Sequence, residues 1–178
     1  AAWNITTTGA KVAILDSGMD LGHPDLAARI DTANDIDYVN SDAAAQDDHG
    51  HGSAVAGIIG AVTNNATAVA GTTWSGTLLP IKVMNDQLGV TQANATSGIT
   101  YATAQNAKVI CMGFVFNSTT TALDNALTAA FNAGISLVAP MGNEGIVASR
   151  YPAANTKVIA VGSVGPTNVI SSFSNRGS

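Results

Sequence analysis

The sequence predicts an α/β fold, a doubly wound parallel sheet with helices on both faces, on three observations. Short apolar runs recur at 11–16, 78–84, 108–112, 135–141 and 157–162, each bounded by Gly, Asn or Asp. They are continuously apolar rather than alternating, the pattern of strands buried on both faces. Ala-rich stretches with helical spacing lie among them at 52–62, 91–106 and 120–133. Strands alternating with helices in this way form parallel sheets whose functional groups gather at the carboxyl ends of the strands.

The first run, KVAILD, ends on Asp16 and turns at Ser17-Gly18, which puts a carboxylate at the mouth of the strand. An Asp there is more often structural than catalytic. The helix at 52–62 follows Asp48-His49-Gly50-His51, and its small residues allow close packing on the sheet while an imidazole stays at its exposed amino end. LLPIKVM and KVICM flank the helix at 91–106, and the helix at 120–133 leads to ISLVAPM. That run opens into Gly142-Asn143-Glu144-Gly145, an amide between glycines whose NH2 group can donate into a cleft. KVIAVG is the last run. No repeat, low-complexity tract or linker divides the chain, so 1–178 reads as one unit.

Composition removes several function classes. Seven basic against twelve acidic side chains give a net charge of −5 over 178 residues, with no cluster of Lys or Arg to meet nucleic acid or an anionic membrane. With 46% hydrophobic and 11% charged residues the chain is too apolar for disorder and can bury a sizeable core. Cys111 is the one cysteine, which excludes an internal disulfide and a Cys-rich zinc site. No apolar run approaches the roughly 20 residues of a membrane span, and a start at Ala1 without a signal peptide is expected of a processed or excised chain. Nine of the eleven Asp residues precede Gly50, which directs attention there for chemistry or cation binding, although a solvated acidic face would look the same. Gly50-His51-Gly52 with Gly57 misplaces the third glycine of a dinucleotide loop, and no Gly-Lys-Ser, Gly-Lys-Thr or His-Glu-x-x-His occurs. His49 and His51, two residues apart, point to different sides of a helix or strand. Asn4, Asn65, Asn94 and Asn117 begin glycosylation triplets of the kind that arise by chance in an Asn- and Thr-rich chain.

In order, VAILDSGMDLGHPDL, HGHGSAVAG, SLVAPMGNEG, RYPAANTKVIAVGSV and SSFSNRGS resemble the subtilisin-like serine proteases along nearly the whole chain. By that resemblance Asp16 orients the catalytic histidine, His51 is the general base, and Asn143 lines the oxyanion hole, beside Gly142. His51 is preferred to His49 because the family's base directly precedes Gly-Thr/Ser, here Gly52-Ser53. His23 falls in a structural turn, and Ser53 stands where the family has a hydroxyl that is not the nucleophile. The nucleophile's Gly-Thr-Ser-Met-Ala motif has no counterpart before Ser178, and Ala2-Trp3-Asn4-Ile5 resembles a segment that follows further residues. The chain is therefore expected to be a partial, internal portion of a secreted peptidase domain, inactive alone, whose partner is a C-terminal segment or second chain bearing the serine. The alternative is a non-catalytic module that binds a peptide or a protein partner.

The resemblance also implies a calcium loop, with Asp25 and Asn65 giving side-chain oxygens and Val62, Thr67 and Val69 completing the set; Ala68 replaces the family's Gly there. A polypeptide substrate would add as a strand beside Leu88-Gly89-Val90 and Met112-Gly113-Phe114. Val115 stands where the family has a Gly that leaves room for a substrate side chain, and Pro140 where it has a small residue.

Overall fold

The computed structural model describes residues 8–177. Ala2-Trp3-Asn4-Ile5, the Asn4 triplet and Ser178 lie outside the described residues. Strands β1 (Lys11–Asp16), β2 (Ile36–Asp37), β3 (Thr77–Lys82), β4 (Val109–Met112), β5 (Ser136–Pro140) and β6 (Val158–Val161) form one parallel sheet, ordered β2-β3-β1-β4-β5-β6. Helices α1 (His51–Gly60), α2 (Gln92–Ala104) and α3 (Thr121–Asn132) connect them. From β1 the chain runs to the edge strand β2, returns through α1 to β3 beside β1, and crosses through α2 to β4 on the other side of β1. Strand order therefore reverses at β1, and a crevice opens at the carboxyl end of such a strand. Asp16 is its last residue.

Period-two alternation along β1 sorts the two cores. Ala13 and Leu15 join Ile99 of α2 and Leu127 of α3 on one face. Val12 and Ile14 join Ala56 of α1 on the other, so helices lie on both faces. Thr91 and Thr120 are not helical but N-caps, their hydroxyls accepting from Asn94 N and Leu123 N. The strand expected through Met84 stops at Lys82, because Val83 N and Met84 N both turn to the carbonyl of Asp16.

Burial on both faces holds for β1 and β3 and fails for β5 and β6. Packing of α1 reaches β1 and β3, and no described helix covers that face of the last two strands. Ile159 and Val161 are 57% and 48% exposed as a result. No described helix is long and apolar enough to cross a membrane.

Candidate active site

Asp16 is fully buried, and its Oδ1 accepts from Ser17 N at 2.7 Å and meets His51 Nδ1 at 2.7 Å. Two glycines make the approach possible. A Cβ on Gly52 would stand 2.0 Å from the carbonyl of Gly18, so only glycine lets the first turn of α1 reach the turn after β1. A Cβ on Gly113 would stand 1.9 Å from Asp16 Oδ2 and 3.4 Å from His51 Cε1. Oδ2 has no hydrogen-bond partner. Burial pushes the carboxyl above its ordinary value, and the bonds from His51 and Ser17 offset part of that rise.

His51 stands on the wall of a cleft of about 600 Å³, with Val55 and Ile58 beside it on α1, Cys111, Met112 and Gly113 opposite, and Gly142 and Asn143 at the end of β5. The three predicted catalytic residues thus converge on one place, Asp16 from behind His51. Asn143 is exposed on its loop, and that loop is held by a residue the sequence reading passed over. Asn175, 1% exposed, accepts from Glu144 N and Ile146 N at 3.0 and 3.2 Å, donates to the carbonyl of Met141 at 3.2 Å, and gives its backbone N–H to the carbonyl of Gly142 at 3.0 Å. His49 is exposed, its ring 6.4 Å from that of His51. Burial and the Asp16 charge push the Cys111 thiol up to about 11, which disfavours the thiolate there. The nearby serine hydroxyls are bonded elsewhere: Ser17 and Ser53 donate to Asp47, Ser174 to the carbonyl of Asn175, and Ser163 pairs with the hydroxyl of Ser171 at 2.8 Å.

Lys82, also missed, is buried at the end of β3 and donates to the carbonyl of Gln46 at 3.1 Å and to Asp48 Oδ2 at 2.6 Å, with Asp37 Oδ2 at 3.9 Å. An isolated polar residue inside an apolar run was its only signal.

Of the expected substrate residues, Met112, Gly113 and Gly142 line the cleft. Leu88, Gly89 and Val90 belong to a turn after β3 that closes through Asn85 N to Gly89 O and a Met84–Val90 bridge. Phe114 is core, its ring 5.4 Å from that of Phe116, and Val115 beside it is half-buried. In the expected calcium loop, buried Asp25 accepts from Asn65 Nδ2 at 2.7 Å and Val69 N at 3.1 Å, while Val62 N bonds the carbonyl of Asp25 and Thr67 N bonds Asn65 Oδ1.

Known proteins resemble this chain over almost all of it. The Subtilase family model matches residues 7–178. Thermitase of Thermoactinomyces vulgaris is 40% identical over 178 residues, covering 99% of this chain and 63% of its own length. The thermophilic serine proteinase of Bacillus sp. strain AK1 is 36% identical, covering 99% and 44%. Subtilisin E of Bacillus subtilis is 36% identical, covering 97% and 45%. The chain spans between 44% and 63% of the length of these relatives.

Proposed function

The chain belongs to the subtilase family, and on that premise we propose that it carries the general base and an oxyanion donor of a serine endopeptidase. The observation behind the proposal is the 2.7 Å bond from His51 to buried Asp16 on the wall of a cleft that also takes in Asn143. A carboxylate only accepts, so the bond keeps the proton on Nδ1 and leaves the lone pair on Nε2. A serine hydroxyl brought to Nε2 gives up its proton as its oxygen bonds the peptide carbonyl carbon. The imidazolium passes that proton to the leaving amine as the C–N bond breaks, and water then releases the acyl group by the same route. The Asn143 amide donates to the oxyanion that forms in between.

The serine comes from a C-terminal segment or second chain outside these residues. Its support is the bond each nearby serine hydroxyl already makes elsewhere and the apolar, uncovered face of Ile159 and Val161 beside the cleft, a surface suited to a packed helix. The substrate is an extended polypeptide, and the protein is secreted. In the protein completed with that segment, His51→Ala should abolish hydrolysis and His49→Ala leave it within a few-fold. The reverse pattern, or peptide binding without hydrolysis in the unmodified protein, would overturn the assignment.

Calcium fits the second loop by donor chemistry. Asp25, Asn65 and the carbonyls of Val62, Thr67 and Val69 are hard oxygen donors, and a cavity of about 260 Å³ is lined by residues 64–70. The Asn65 amide turns its nitrogen to Asp25, so that side chain must flip to present its oxygen. When bound there the ion would tie the loop to the turn at Asp25. Millimolar calcium added after chelation should raise Tm, by linkage to the folded state; an unchanged Tm removes calcium from the account.

A further inference from the structure

Helix α1 begins without a cap of its own. Its N-cap is Gly50, in a left-handed conformation at φ 98°, with no side chain to accept from the first turn. Yet its first residue is His51, whose position decides the bond to Asp16. Two side chains from elsewhere take the free N–H groups. Ser17 Oγ accepts from Gly52 N at 3.0 Å, and Asp47 Oδ2 accepts from Ser53 N at 2.9 Å. Asp47 also receives Ser53 Oγ at 2.6 Å, Ser17 Oγ at 2.9 Å, His49 N at 3.0 Å and Gly50 N at 2.9 Å. One carboxylate therefore binds the turn after β1, the loop before α1 and the first turn of α1.

Asp47 is itself held firmly. Its backbone N–H donates to the carbonyl of Met19 at 3.1 Å, and Met19 N donates to the carbonyl of Ala45 at 2.8 Å. On either side of it, Gln46 O and Asp48 Oδ2 take the buried ammonium of Lys82. A buried ammonium is costly to leave unpaired, so this tie is strong. Donors surround the Asp47 carboxylate and hold its pKa well below the ordinary range.

We propose that Asp47 is the positioning residue of the site, fixing the first turn of α1 so that His51 Nδ1 meets Asp16, with Lys82 holding Asp47 from the end of β3. The proposal rests on the Asp16–His51 pair as the working pair, but its test reads that hydrogen bond and not turnover. The imidazole Nδ1–H resonance of His51, in the protein labelled with ¹⁵N-histidine, reports the bond by its downfield shift and its exchange with water. Asp47→Ala should speed that exchange at least tenfold while amide spectra and cooperative melting persist. Asp47→Asn, which retains an acceptor on one side only, should fall between, and Ser17→Ala should give a smaller increase, deciding the matter if Asp47→Ala does not fold. An unchanged resonance in folded Asp47→Ala, or in both milder variants, overturns the proposal. A protected resonance in the completed protein before any substitution, without hydrolysis, would instead point to a fault in the functional assignment.

Discussion

On the wall of the cleft that carries His51, position is set by charge. Asp16, Asp47 and Lys82 are ionisable groups at the ends of β1 and β3 and in the loop between, each held by several partners. On the wall that carries Asn143, position is set mainly by one neutral amide, which also bonds the carboxylate of the exposed Glu144–Arg150 pair. Asn175 ties a glycine-flanked loop through mostly backbone groups, and the strand beyond it, β6, stays uncovered on one face. The difference suits the role proposed for each wall. A base must keep one tautomer and one direction while its charge changes, which calls for fixed charges around it, whereas an oxyanion donor keeps its charge and needs only a rigid loop.

The sharpest way to break the comparison is to remove each wall's working group from the completed protease. Losing His51 removes the proposed proton acceptor and should cost far more than losing Asn143, a neutral donor that takes no proton. Asn143→Ala should lower kcat by about 10²–10³ with KM little changed, the magnitude known for loss of one oxyanion donor from subtilisin. A loss under tenfold would mean that Asn143 does not face the oxyanion.

Next come the supports. Asn175→Ala leaves Glu144 N and Ile146 N without the acceptor they share, while the carbonyl of Met141 keeps its bond from Arg150 N, and an unsatisfied buried group costs about 1–3 kcal/mol where water cannot reach it. Asp47→Asn should cost about 1 kcal/mol, the usual worth of a helix cap. Acid separates the two. Asp47 titrates below its ordinary 3.8, so its stabilising effect is complete above that value and is lost as pH falls through the depressed folded value. The Tm gap between the protein and Asp47→Asn should therefore be constant at neutral pH and narrow below pH 3.8. The Asn175→Ala gap should narrow only in part, because Asn175 also bonds the Glu144 carboxylate and holds it below its ordinary value, whereas the share from the backbone amides of Glu144 and Ile146 persists, since they do not titrate. Thermal melts between neutral pH and the acid limit measure both, and parallel behaviour would erase the distinction.

Much of this was legible in the sequence. The strand runs and Ala-rich helices were long enough to show their periods, and Asp16, His51 and Asn143 stood at strand ends and a helix start. The two-residue β2 and the 3₁₀ turn Ala27–Arg29 are too short to carry a period. Helix starts at 91 and 120 were drawn one residue early because a capping Thr reads as helix from composition alone. The supports were the hardest to see. Asp47 was one carboxylate in an acidic run that resembles a solvated face, and Lys82 sat inside LLPIKVM as though it were part of the apolar pattern. The bonds from Asp47 to Ser17 and from Lys82 to Asp48 each join residues about thirty apart, a distance that only the fold closes. Uniform burial was expected for the last strands because apolar runs do not reveal which face is covered.

The smallest effect concerns specificity, at the point where the two walls meet. β4 ends at Met112, and Met112 and Phe114 are buried in the core. Gly113 lies against Asp16 and His51, and Val115, two residues on and half-buried, stands where the resemblance expects a Gly that leaves room for substrate. Three extra carbons there take space from a substrate side chain, and overpacking costs about 1–3 kcal/mol. Val115 is half-exposed and so has room to give way, which favours the lower end, about 1 kcal/mol or several-fold in rate. The completed protease should prefer Ala over Phe before the scissile bond, and Val115→Gly should shift that preference toward Phe, while Asn175→Ala should lower both rates together. Matched peptides carrying Ala or Phe at that position, assayed as kcat/KM in each variant, distinguish the outcomes. An Ala-to-Phe ratio unchanged by Val115→Gly would show that Val115 lies off the substrate's path and that the pocket is shaped by the cleft's other residues.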